Sequence, residues 1–230
     1  MQAEAQETDT IVSRSIELMA DRGYEATTVE TLADGAGISR STFFRKFGSK
    51  DDLVFADHAV ILERARGFLA NSTGDPLAVL ADATLLIFGH FVRNPRTSIA
   101  RQRLLQQVPS LRDRELVTSH RYERLFTEYL QAALPDTDRR ELGAVALSAG
   151  TVAIHNAFLR RWLRAPDRDL SAGLAQELRK LSDTFRPALL PGDAGRARTG
   201  VVVAVFGEDA SEEQILETVR SGVRDRLRRS

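Results

Sequence analysis

The chain has 230 residues, 43% of them hydrophobic and 28% charged, which is long enough to bury a real core and too mixed in composition for a disordered or fibrous protein. Its 32 basic and 32 acidic residues cancel, so a surface that is basic all over is excluded while a local basic patch remains open. No cysteine is present, which excludes a disulfide scaffold, thiolate zinc sites and thiol catalysis.

Residues 9 to 22 set Ile11, Val12, Ile16, Leu18 and Met19 on one side of a helix, with Gly23 just past its end as a stop. Thr27 and Glu30 make a capping-box pattern ahead of Val29, Leu32, Ala33 and Ala36, whose spacing predicts a short second helix. Gly37 punctuates it. Ser39 then caps a third helix that runs to about Phe47, and Ile38 with Phe43 forms a hydrophobic staple at its start. Gly48 breaks that helix, and Ser49 with Asp52 opens a fourth, expected to continue unbroken to about Ala70.

After a loop from Asn71 to Pro76, Leu80, Thr84, Ile87 and Phe91 share a helical face that ends at Asn94 and Pro95. Further helices are predicted over about 97 to 107, 111 to 134, 137 to 163 and 170 to 185. The helix from 137 to 163 has a small-residue face, Ala146, Gly150, Ala153 and Ala157, and a larger apolar one that includes Leu147, Ile154, Phe158 and Trp162. Beyond Pro187 the glycines 192, 195 and 200 bracket a linker, 201 to 206 reads as a short apolar strand, and Ser211 opens a last helix. The expected organisation is a helix-turn-helix domain at 1–54, a larger helical domain at 55–190 and a linker with a strand-helix extension at 191–230. The fold class is all-α apart from that strand.

Charge singles out the third helix. Between Ser39 and Lys50 lie Arg40, Arg45, Lys46 and Lys50 with no acidic residue, whereas residues 1 to 38 hold two arginines against eight acids. A basic helix following a short helix and a glycine turn is what insertion in a major groove requires, because each phosphate contact releases counterions. The bland alternative is a three-helix packing unit with no nucleic acid.

The segment TVETLADGAGISRSTFFRKFGSKDDLV resembles the DNA-binding domain of the TetR family of bacterial transcriptional regulators, whose pattern is S-x-x-T-[FL]-Y-x-[HY]-F-x-[ST]-K-[ED]-x-L. The motif covers about residues 9 to 54; the rest is similar only in helical layout. The resemblance implies an all-helical homodimer with an N-terminal domain for double-stranded operator DNA and a C-terminal domain for a small-molecule effector and dimerisation. It also implies that Arg40, Ser41, Arg45 and Lys46 read bases and that Thr28, Thr42, Phe44 and Lys50 meet phosphates, with Ser39 at the helix start completing the set. Phe44 stands where Tyr is common and Lys46 where His or Tyr is common, departures that bear on the operator sequence.

In the second domain Phe88, Phe91, Phe126, Tyr129, Phe158 and Trp162 lie on helices expected to face one another. They are either ordinary core or the lining of an apolar cavity in which Tyr129, His155 and Asn156 orient a ligand. Arg101 and Arg103 read as a solvated face or as partners for an anion. The small-residue face and the leucines of 170 to 185 are expected to build a four-helix dimer interface.

Rival chemistry finds little support. The four histidines have no ligand spacing, no nucleophile elbow occurs, and the glycines after 190 do not make a phosphate loop. No catalytic residue, metal site or cofactor is expected. Glu4, Glu7 and Asp9 stand where a secretory signal has its apolar core, and no run reaches the ~18 apolar residues of a membrane span. The expectation is a cytoplasmic, one-component regulator, in most cases of this kind a repressor; the alternative from another class is an enzyme or carrier that uses the C-terminal cavity.

Overall fold

The computed structural model describes residues 2–190, with side chains from residue 7 onward. The linker, the strand expected over 201–206 and the helix after it lie outside the described residues. Within them the chain is all helical: α1 (Gln2–Arg22), α2 (Val29–Gly35), α3 (Arg40–Phe47), α4 (Lys50–Val54), α5 (Ala56–Asn71), α6 (Pro76–Arg93), α7 (Pro95–Gln107), α8 (Pro109–Ala133), α9 (Arg140–Arg164) and α10 (Ser171–Leu189).

Local chemistry accounts for most of the boundaries. Pro76, Pro95 and Pro109 each open a helix, where the missing N–H has no intrahelical partner to lose. Three hydroxyls start the N-terminal helices: Thr28 accepts from the Thr31 amide at 3.2 Å, Ser39 from Thr42 at 3.1 Å and Ser49 from Asp52 at 3.0 Å. Thr28, not Thr27, therefore caps α2. Thr27 is almost fully buried and its hydroxyl donates back to the Gly23 carbonyl at 2.9 Å. Gly37 and Gly48 adopt φ of 68° and 81°, a region that side-chain-bearing residues occupy only at a cost.

The expected fourth helix is two helices. Phe55, at φ −116° and ψ 10°, separates α4 from α5, its N–H bonding to the Asp52 carbonyl at 3.1 Å. Its ring is buried beside His58, with centroids 5.7 Å apart, so packing of the aromatic outweighs helix continuity. At the other end α10 runs through Pro187 to Leu189, past the expected stop near 185, because only its last turn loses a hydrogen bond.

Three apolar clusters hold the elements. The first joins Ile16, Met19, Phe43, Phe47 and Leu53 of the N-terminal helices to Ala100, Leu104 and Leu105 of α7 and Leu111 of α8. Each fully buried side chain of this kind, such as Phe43 at 0% exposure, contributes about 1.5 to 3 kcal/mol. The second gathers α5, α6, α8 and α9 around Ile61, Leu80, Phe126 and Leu147. The third, Phe88, Phe158, Trp162, Leu174 and Leu178, packs α6, α9 and α10. α6 and α9 are long and apolar enough to cross a membrane, but half of α6's span is buried inside the fold.

Part of the small-residue face expected to join two subunits is used within the chain. A Cβ on Gly150 would come within 3.2 Å of Leu181, and one on Gly143 within 2.5 Å of Leu189, so these glycines let α9 and α10 approach closely. Ala149, Ala153 and Ala157 remain exposed on α9, together with Leu142 at 77% and Val145 at 49%.

Candidate nucleic-acid interface and cavity

The capped helix α3 turns Phe43 and Phe47 into the core and leaves Arg40, Ser41, Phe44, Arg45 and Lys46 exposed on its outer surface. Ser39 is also exposed, and its hydroxyl lies 2.9 Å from those of both Ser41 and Thr42. Thr42 is half-buried and Thr28, at the start of α2, is exposed. All nine residues singled out in the sequence thus lie on α3 or at the N-termini of its two neighbours. The amide dipoles at those N-termini favour an anion such as phosphate.

Two of the cations have protein partners that the sequence pattern does not reveal. Arg40 Nε meets Glu30 Oε1 at 2.9 Å while its guanidinium lies 5.5 Å from the Phe44 ring centroid. Lys46 Nζ reaches Glu7 Oε1 at 3.4 Å. Such exposed pairs are worth ~0 to 1 kcal/mol, so a nucleic acid displaces the acids at little cost. Lys50 is held more firmly. Its ammonium donates to the Tyr24 and Thr27 carbonyls at 2.8 and 3.2 Å and lies 3.9 Å from the Tyr24 ring centroid, and the Tyr24 hydroxyl in turn donates to Asp51. This residue ties the start of α4 to the turn that presents Thr28.

A cavity of about 70 Å³ lies among α5, α6, α7, α8 and α9. Of the eight residues expected to line one, Phe91, Phe126, His155 and Asn156 do so. Phe88, Phe158 and Trp162 do not: they belong to the cluster on the α10 side of α6 and α9, where the Trp162 indole donates to the Pro166 carbonyl at 3.0 Å. Tyr129 packs, half-buried, against the cluster of α5, α6, α8 and α9. Helical spacing identifies which residues are apolar but not how each helix is rotated about its axis.

The lining includes His58 and Tyr122, which the sequence did not single out for the cavity, and Arg101. His58 Nδ1 and the Tyr122 hydroxyl lie 2.9 Å apart and buried. Burial lowers the His58 pKa to about 3 and that of His155 to about 4, so both rings are neutral. Arg101, weighed in sequence as an exposed or anion-pairing group, is 6% exposed, and its Nη2 lies 2.5 Å from Asp57 Oδ2 on α5. Burial alone would raise the Asp57 pKa, but the Arg101 charge and a hydrogen bond with His90 outweigh it and hold the carboxyl well below its usual range. A faint signal existed: Thr97, Arg101 and Leu104 lie at i, i+4 and i+7 on α7, which is a buried face.

Arg101 also borders a second, polar cleft of about 470 Å³ between α1, α5, α6 and α7, lined by Asp9, Glu17 and His90 among others. The Asp57–Arg101 pair therefore stands between the cavity and the helix that leads into the helix-turn-helix. Among the described residues no group of three or more His, Asp or Glu could hold a metal ion.

Residues 11–56 match the family model described as bacterial regulatory proteins, tetR family, and residues 74–186 match that of the MftR C-terminal domain. The chain is 29% identical over 196 residues to the HTH-type transcriptional regulator TcmR of Streptomyces glaucescens, covering 79% of this chain and 83% of that protein. It is 27% identical over 193 residues to the HTH-type transcriptional regulator TtgR of Pseudomonas putida, covering 79% and 90%. Among solved structures the fold is similar to that of the fatty acid degradation regulator FadR of Bacillus halodurans, with a TM-score of 0.56 at 19% identity over 76% of this chain and 93% of that one.

Proposed function

The chain belongs to the TetR family of bacterial transcriptional regulators, and from that premise we propose that it is a cytoplasmic repressor that binds a palindromic operator as a homodimer and is released by a small, mostly apolar molecule. The relatives it matches are transcriptional regulators, not enzymes. The observation that carries the reading is the outer face of α3, where Arg40, Arg45 and Lys46 stand exposed with no acid on the helix, on a base anchored by the buried Phe43 and Phe47. Arg40, Ser41, Arg45 and Lys46 read base edges; Thr28, Ser39, Thr42, Phe44 and Lys50 meet the backbone. An arginine suits a guanine edge because its fork matches O6 and N7 together.

The ligand part of the proposal rests on the cavity. Its 70 Å³ is well below the ~300 to 1,000 Å³ of sites that hold drug-sized molecules, so such a molecule must push apart the helices around it. Phe55, the single residue between α4 and α5, and His58 of α5 line the space. Spreading the cavity therefore moves the base on which α3 sits. Only an effector that prefers the spread arrangement shifts the population, in proportion to that preference. The dimer is proposed to form through the exposed apolar face of α9, centred on Leu142, Val145, Ala149 and Ala153, with α10 beside it.

Selection of duplex fragments retained by the purified protein, followed by sequencing, tests the reading. The expected result is a palindrome whose half-sites are centred about 34 Å apart, one helical turn, bound with an affinity that falls steeply with salt. Retained DNA without dyad symmetry, or equal affinity for all duplexes, would overturn it.

A further inference from the structure

The cavity contains a lone pair whose direction and partner can be worked out from its neighbours. His155 is 8% exposed and lines the cavity. Its Nδ1 lies 3.1 Å from Asn156 Oδ1, and the Asn156 amide nitrogen donates to Ser119 Oγ at 3.3 Å. The structure sets the carbonyl end of Asn156 against the ring, and an amide oxygen only accepts, so Nδ1 carries the proton. With the ring neutral, Nε2 then bears a bare lone pair, an acceptor and nothing else. Among the described residues no protein group reaches Nε2, which is buried. Phe88 and Phe91 stand with their ring centroids 6.0 Å from that of His155. Water or a bound molecule must supply the donor, since a buried polar atom is seldom left without one.

The charges around the cavity disfavour an acidic ligand. Arg101, the cation of the lining, is already offset by Asp57 at 2.5 Å, and Glu115 stands in the lining as well, so a ligand carboxylate would meet no net positive charge. The buried Arg101 Nε–H, which has no protein partner among the described residues, can serve a neutral acceptor.

We infer that the effector is an uncharged, largely apolar molecule carrying a hydroxyl, alcoholic or phenolic, that donates its hydrogen to Nε2 of His155. This rests on the cavity being the effector site and adds the class of molecule that fills it. The hydroxyl takes over the place of a water hydrogen-bonded to Nε2, whereas a methyl group displaces that water and restores nothing.

Calorimetry on the full-length protein with two size-matched sets tests the inference: p-cresol, p-xylene and p-toluate, and octanol, nonane and octanoate. The hydroxyl member of each set is expected to bind about tenfold more tightly than its methyl counterpart, the reverse of the order that burial of apolar surface alone would produce. His155→Phe nearly keeps the ring volume and removes the lone pair; it should abolish the preference, bringing the p-cresol and p-xylene affinities within about twofold of each other. Nitrogen NMR of the His155 ring is an independent readout in the unmutated protein: Nε2 should shift on binding p-cresol and not on binding p-xylene. Binding of the methyl members as tight as that of the hydroxyl members, tighter binding of the carboxylates, or an Nε2 resonance unmoved by p-cresol would overturn the inference alone. Failure of all six compounds to bind would overturn the cavity as effector site and the inference with it.

Discussion

Replacing Arg101 by Met removes the charge that faces Asp57 across α5 and α7. Both side chains are 7% exposed and the contact is 2.5 Å, so Asp57 is left as a buried carboxylate with only His90, 3.8 Å away, to answer it. Breaking such a pair costs ~3 to 5 kcal/mol, and for a protein of this size each kcal/mol moves the melting temperature by about 2 to 4 °C, a total fall of about 6 to 20 °C. The pH dependence has a defined sign. In the wild type the Asp57 pKa is held below its ordinary 3.8, so the pair's contribution is complete above that value and is lost as pH falls below it. In Arg101→Met burial dominates and the pKa rises, so protonation relieves the folded state and stability returns as pH falls through the raised value. The gap between wild type and variant should therefore narrow from neutral pH toward about 4. Adding Asp57→Asn removes the stranded charge and should recover about 2 to 3 kcal/mol as a coupling term. Thermal and urea unfolding of the four proteins across this range measures both quantities. A coupling below about 0.5 kcal/mol, or a gap that widens in acid, would show that the pair is not the buried link described here.

Arg40→Ala should weaken operator binding by ~1 to 3 kcal/mol and relax the preference at one base pair, read by fluorescence anisotropy over a set of single-base variants. Lys50→Ala should weaken all duplexes nearly evenly. It should also lower stability by about 1 to 3 kcal/mol, because two backbone carbonyls lose a charged donor; an unchanged melting temperature would refute the tie to Tyr24 and Thr27. Leu142→Arg together with Val145→Arg, on the exposed face of α9, should convert a dimer into monomers in sedimentation while the fold persists. Because burial holds His155 neutral down to about 4 from an ordinary 6.5, stability should fall as pH drops through this window, by up to ~1.4 kcal/mol per unit for this residue. His155→Phe should reduce that slope by one proton.

The contrast between α3 and the cavity shows which features are local. The caps at Ser39 and Ser49, the glycine at Gly37 and the buried pair Phe43 and Phe47 act over a few residues, so their spacing is sufficient to place the helix and the side chains on its outer face. The small-residue face of α9 was legible as a surface for close approach, but not which helix approaches; Gly150 receives Leu181 of the same chain. The break at Phe55 was not legible, since Ser49 to Ala70 is a continuous helical pattern and a buried ring interrupts it.

Apart from the break at Phe55, the order and type of the helices, the helix-turn-helix and the basic face of α3 follow from the sequence by itself, because hydrophobic period, capping and charge are properties of neighbouring residues. The tertiary structure decided what faces the cavity. His58 meets Tyr122 across 64 positions and Asp57 meets Arg101 across 44, and the aromatic residues divide between two clusters according to how α6, α8 and α9 are rotated against one another. That rotation is set by packing of all the helices together, so no stretch of sequence carries it alone.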